Sequence, residues 1–251
     1  MKKVNIISLV YPVLSLCIIA ILWLIMYKVI GEPIILPSIG QTFDALFKLF
    51  STEKFYVAIS NTLLRTFASY FISLILAIIF SILASIYNPI EKLMNPFVVI
   101  FKVVPTMSVI LLSILWVNSF MTPILVSFII IFPLLYTSFL DSIKGVDKKL
   151  VEMAKIYNVS KTKIIKSLYI PEIMPSFFTA LRNTLSLNLK LIIASEVMAQ
   201  TARSIGIYMQ EAKMYIETAE LLAWTITAIL IGALFELIIL VIQKLVIGRK
   251  I

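Results

Sequence analysis

Between Val103 and Leu140 the chain runs for 38 residues without a charged side chain. A helix needs only about 20 residues to cross the hydrocarbon core of a bilayer. The run is therefore too long for one crossing and too apolar for a soluble fold. The polar, proline-ended stretch Asn118–Pro123 divides it into expected spans at about 96–117 and 121–140. Val4–Tyr27 is a second uncharged run of 24 residues, and Thr66–Ile90 is a third, closing at the turn signal Asn88-Pro89. Composition agrees. The chain is 61% hydrophobic and 14% charged, whereas soluble domains lie near half and a quarter.

Two further apolar stretches follow. Pro175–Gln200 carries Arg182, Lys190 and Glu196, and Leu221–Ile242 is interrupted only by Glu236. The expected fold is all-α: a polytopic helical bundle of about six transmembrane helices. Residues 1–55 read as an N-terminal anchor and interfacial segment, with an amphipathic helix near Gln41–Leu49. Lys2 and Lys3 precede the first run as in a signal peptide, but no small-residue cleavage site follows, so it reads as a retained anchor. Residues 56–251 read as the core.

An even number of spans puts both termini on one side. That side would carry 14 of the basic residues, among them Lys2, Lys3, Lys92, Lys144, Arg249 and Lys250; the other would carry six, including Lys54, Arg65 and Arg203. The positive-inside rule then places both termini and the 141–172 loop in the cytoplasm, in a cell (plasma or inner) membrane. The net charge of +9 is thus a matter of topology and implies no nucleic-acid partner. Histidine is absent and Cys17 is the one cysteine, so the commonest general base and metal ligand are missing. No metal, cofactor or enzymatic activity is expected, and no G-x-x-x-x-G-K-[ST] loop is present to bind ATP.

The 141–172 loop is polar but patterned. Leu150, Met153, Ala154 and Tyr157 fall at the i, i+3, i+4, i+7 spacing of an amphipathic helix. Asn158 then suits a left-handed helix end, and Ser160 suits the N-cap of a second helix over Lys161–Tyr169, which Pro171 is expected to end. Such a helix pair suits a membrane surface, an intramolecular plug or a groove on another protein; its lysines favour the surface slightly.

The same residues resemble the EAA motif of binding-protein-dependent ABC importer permeases. Glu152-Met153-Ala154, then Asn158, then Leu168-Tyr169-Ile170-Pro171 keep the motif's spacing throughout. Met153 stands where the motif has alanine and Asn158 where it has glycine. Val104–Ile110, Phe132-Pro133, Leu181-Arg182, Ser195-Glu196 and Ser204-Ile205-Gly206 resemble segments of the sulfonate, taurine and nitrate branch of that family. The resemblance implies a type I ABC importer-like bundle. It also implies a second permease copy (a homodimer), two cytoplasmic ATPase subunits that hydrolyse the ATP, and an extracytoplasmic solute-binding protein. On this reading Leu150, Glu152, Met153, Ala154, Tyr157, Asn158, Ser160 and Pro171 form the ATPase-coupling segment.

Ionisable residues inside a membrane usually face a cavity, water or a partner charge. At 100° per residue, Arg182, Lys190 and Glu196 could share a broad inward face, with Asn183 and Asn188 beside the route. Two cations there suit a small anionic solute; for Arg182 and Glu196, structural pairing or snorkelling of Arg182 to the nearby cytoplasmic interface is equally consistent with the residues. The expected function is the translocation subunit of an ATP-driven importer of a sulfonate-, taurine-, nitrate- or vitamin-precursor-like solute. The alternative is a secondary transporter or channel that works without an ATPase.

Overall fold

Caps and prolines cut the chain into its helices. The computed structural model describes residues 6–248, and these form eleven α-helices and one π turn with no strand among them. The basic residues Lys2, Lys3, Arg249 and Lys250 lie outside the described residues. The all-α membrane bundle expected from the hydropathy is the fold observed.

Among the described residues, three helices are long and apolar enough to cross a membrane: α3 (Glu53–Ile86), α6 (Thr122–Lys144) and α11 (Thr218–Ile247). A further apolar pair is bent at its break, as in a broken span or a re-entrant loop. Helices α4 (Asn88–Val103) and α5 (Thr106–Trp116) meet at a bend of 102°. The single span expected over 96–117 is therefore corrected to a bent pair. The cause is Pro105, which has no N–H to continue the ladder and forces Val104 into extended backbone. The expected break at Asn118–Pro123 is present as the turn before α6. Helices α1 (Ile6–Ile30) and α9 (Ile170–Ala199) are the other two long helices; the 30 residues of α9 reach about 45 Å.

The chain forms two compact units, divided within α3, α10 (Ile205–Met214) and α11. One takes the residues up to Tyr56 together with Tyr208–Thr227; the other takes Val57–Ile207 and the residues from Ala228 onward. In the first unit, the interfacial helix α2 (Ile39–Phe50) begins at a capping box. Ser38 Oγ accepts from the Gln41 N–H at 3.2 Å, and the Gln41 side chain accepts from the Ser38 N–H at 2.9 Å. Trp224 is fully buried there, between the rings of Phe55 and Tyr208 at 5.5 Å each. Lys54 Nζ sits 3.4 Å from Glu220 and 4.2 Å above the Tyr208 ring.

In the second unit α9 packs along α6, with α5 against both and α4 against α6. Helix α9 carries polar and charged residues along most of its length. It tolerates them because its inner face, including Asn188, Ile192, Ser195 and Glu196, is covered by protein rather than lipid.

Candidate functional site

Two features of the second unit stand out, a helical turn built in the 141–172 loop and a polar seam between α3 and α9.

The loop begins with Asp147, whose carboxylate accepts the Lys149 N–H at 2.8 Å and caps α7 (Lys148–Ile156). Asn158 has φ +54°, in the left-handed region. Its N–H donates to Lys155 O at 2.9 Å, and the Val159 N–H donates to Ala154 O at 3.0 Å. These two bonds are the 5→2 and 6→1 pair of a Schellman ending. Asparagine serves where glycine is usual because its short polar side chain tolerates this backbone. Ser160 takes extended backbone ahead of α8 (Lys161–Ile164), but its hydroxyl makes no capping bond. Leu150, Met153 and Tyr157 are exposed, as is Glu152, and Ala154 is half-buried.

Pro171 does not end the second helix, contrary to expectation. A π turn over Ile165–Tyr169 carries the chain from α8 directly into α9, where Pro171 occupies the first turn. The Ile170 N–H reaches Ile165 O, five residues back. That shift in bonding register lets the chain pass a residue with no N–H and a bulky ring.

The seam is built from hydroxyl and charged residues on one stripe of α3. Thr62, Arg65, Thr66, Ser69 and Ser73 recur at helical spacing and are all buried. The charge count assigns Arg65 to the basic residues outside the spans, on the side opposite the termini. The structure corrects this: Arg65 lies inside α3, and its side chain is 1% exposed. Its Nη2 is 2.7 Å and its Nε 2.9 Å from Glu196 Oε1. Glu196 Oε2 accepts from Thr62 Oγ1 at 3.0 Å and from the Gly206 N–H at 3.1 Å. The Phe120 ring lies 5.4 Å from the guanidinium carbon. All the hydrogen-bonding capacity that the carboxylate uses therefore comes from buried donors, which a charge at membrane depth requires.

Gly206 is forced by this arrangement. A Cβ there would stand 2.4 Å from Glu196 Cβ and 2.7 Å from Ile193 O. About two turns before Glu196 on α9, the Asn188 amide joins three helices. Its Nδ2 donates to Thr66 O at 2.8 Å, and its Oδ1 accepts from Ser69 at 3.1 Å and from Ser127 of α6. Tyr70 closes the seam with a hydrogen bond to Leu181 O at 2.9 Å.

The four expected pathway residues separate by face. Glu196 is buried against Arg65, not Arg182, which is half-buried. Asn183 and Lys190, seven residues apart, share an exposed stripe of α9 with Ser176 and Thr179. The sequence reading missed Arg65, although the hydroxyl stripe from Thr62 to Ser73 in an otherwise apolar helix was a visible signal.

Comparison with known proteins follows the same lines. Residues 73–251 match the family described as "Binding-protein-dependent transport system inner membrane component". The formylaminopyrimidine transport permease protein ThiX of Halalkalibacterium halodurans is 24% identical over 172 residues, covering 68% of each chain. An Escherichia coli protein, provisionally named aliphatic sulfonates transport permease protein SsuC, is 27% identical over 158 residues, covering 62% of this chain and 59% of its own length. Among solved structures, a bacterial ABC transporter involved in import of the acidic polysaccharide alginate superposes with a TM-score of 0.62 at 20% identity, covering 96% of both chains. That likeness establishes the type I importer-like fold. With the family match spanning most of the chain, the protein belongs to the inner membrane components of binding-protein-dependent transport systems and is a multi-pass ABC importer permease.

Proposed function

We propose that this chain works as one of two identical permease copies that form a solute pathway, driven by separate cytoplasmic ATPase subunits and fed by an extracytoplasmic binding protein. In this reading residues 1–55 are an anchor and interfacial segment, residues 56–251 are the translocation core, and both termini face the cytoplasm.

The observation that carries the reading is the outer face of α7. Leu150, Met153 and Tyr157 are large apolar side chains left 39%, 51% and 77% exposed on a short helix ended by a rigid turn. An apolar face held out in this way suits helix-in-groove recognition. Glu152 adds a charge beside it, and Ala154 allows close approach. Asn158, Ser160 and Pro171 set the helix end, the following helix and its junction with α9, so that movement of α7 is passed to α9.

The pathway face follows from membrane energetics. Lys190 facing lipid near the bilayer centre would cost about 2.5–3.5 kcal/mol. The exposed stripe of Ser176, Thr179, Asn183 and Lys190 therefore suits water or a second permease copy better than lipid. Arg182 lies at its edge, and Glu196 supports it from behind through Arg65. Two cations favour a small anionic solute; the sulfonate and formylaminopyrimidine in the relatives' names are the first compounds to try.

The test is co-purification of the tagged permease with its ATPase in mild detergent. The wild-type chain should retain the ATPase and Met153→Asp should lose it, with both inserting equally. Nucleotide-independent transport by the permease alone in liposomes would favour a secondary transporter or channel instead.

A further inference from the structure

Helix α7 has a second face. At about 100° per residue, Lys148, Val151 and Lys155 point roughly 160° away from Leu150, Met153 and Tyr157. This inner face lines a cavity of about 940 Å³ in the second unit, whose wall includes Ile82 and Ile86 of α3, Ile143 of α6, Ile164 of α8 and Phe177 of α9. That volume is near the top of the range for small-molecule sites, about 300–1,000 Å³. Its walls are mostly aliphatic and aromatic, and its charged residues are all of one sign: Lys144, Lys148, Lys155 and Lys161. Lys144 is committed to Glu91. Among the described residues, the ammonium groups of Lys148, Lys155 and Lys161 make no ion pair or hydrogen bond.

An apolar cleft open on its side, at the end of a long apolar span and rimmed by three uncommitted ammonium groups, matches an amphiphile with an anionic head and a hydrocarbon tail. We propose that the cleft beneath α7 binds an anionic phospholipid, with its phosphate held by Lys148, Lys155 and Lys161 and an acyl chain lying along Ile82, Ile86 and Phe177. Basic pockets between membrane helices recognise anionic headgroups by charge, and the tail supplies the apolar contact. Because the lipid and the exposed apolar face sit on opposite sides of one short helix, its occupancy would set where that helix stands.

The test uses the full-length permease, purified in detergent, with native mass spectrometry as the readout. Phosphatidylglycerol and phosphatidylcholine of the same chain length are added in equal amounts. The wild type should retain phosphatidylglycerol at least about tenfold more than phosphatidylcholine. Lys148→Gln/Lys155→Gln/Lys161→Gln should abolish that preference. Ile82→Trp, which narrows the cleft and leaves every lysine in place, should reduce retention of both lipids and serves if the triple variant fails to insert. Equal retention of the two lipids by the wild type would overturn the proposal, as would a preference that survives the triple variant. Inorganic phosphate that displaces the bound lipid at millimolar concentration would show a simple anion site and overturn it too. The readout needs no ATPase, so its failure is distinguishable from failure of the coupling role.

Discussion

The Arg65 guanidinium lies 2.7 Å from Glu196 Oε1 with both side chains sealed from solvent, at 1% and 0% exposure. The two residues come from different helices, and Glu196 also holds the N–H of Gly206 at the start of α10 (Ile205–Met214). One carboxylate thus ties α3, α9 and the turn after α9 together. Removing one partner of a buried pair typically costs about 3–5 kcal/mol, because the other charge is left uncompensated. Glu196→Met and Arg65→Met should each lower the melting temperature markedly in detergent. The double variant Arg65→Met/Glu196→Met should recover much of the loss. A double variant as unstable as the sum of the two would show that the residues act separately.

Gly206 should tolerate no side chain. A Cβ 2.4 Å from Glu196 Cβ cannot be relieved by rotating a flexible end, because the second contact is the backbone oxygen of Ile193. Gly206→Ala should abolish folded, monodisperse protein on size-exclusion chromatography. Gly232→Ala is the control: its Cβ meets only Leu189 Cδ2, at 3.9 Å. There the gain in helix propensity should stabilise by about 0.5–1 kcal/mol.

Asn158 holds φ +54° at the end of α7. Asn158→Gly should be neutral or slightly stabilising, whereas Asn158→Val should cost about 1–2 kcal/mol locally, since a β-branched side chain crowds the left-handed conformation. Amide hydrogen exchange should show faster exchange at Val159 in the valine variant, while exchange along α6 stays unchanged.

Glu217 precedes α11 and is exposed. Its carboxyl is held above the ordinary carboxylate range, first by its hydrogen bond to Glu220, then by that residue's charge and by slight desolvation, with Lys54 opposing. A raised folded-state value means that the stabilisation is full below the unfolded carboxyl's range and is lost as pH rises through the folded value. Glu217→Gln keeps the hydrogen bond and removes the repulsion. It should stabilise the protein slightly at neutral pH, by about 0.3 kcal/mol after solvent screening, and have no effect in acid. Melting curves across pH with and without the substitution check this.

What the sequence determined by itself was local. Uncharged runs longer than a bilayer is thick mark the crossings, and Asn158 marks the end of α7, because span length and backbone conformation depend on neighbours within a few residues. The motif spacing from Glu152 to Pro171 is likewise read along one stretch of chain. Tertiary structure decided what those elements meet. Arg65 finds Glu196 across 131 positions, and Asn188 finds Ser69 across 119. No periodicity within α3 or α9 names the partner, because any buried charge accepts whichever opposite charge the packing brings near. Pro105 and Pro171 make the same point at the backbone. Each removes an N–H, yet one chain turns by 102° and the other runs on through a π turn. Which outcome a proline produces depends on the helices packed around it, and only the folded chain supplies those.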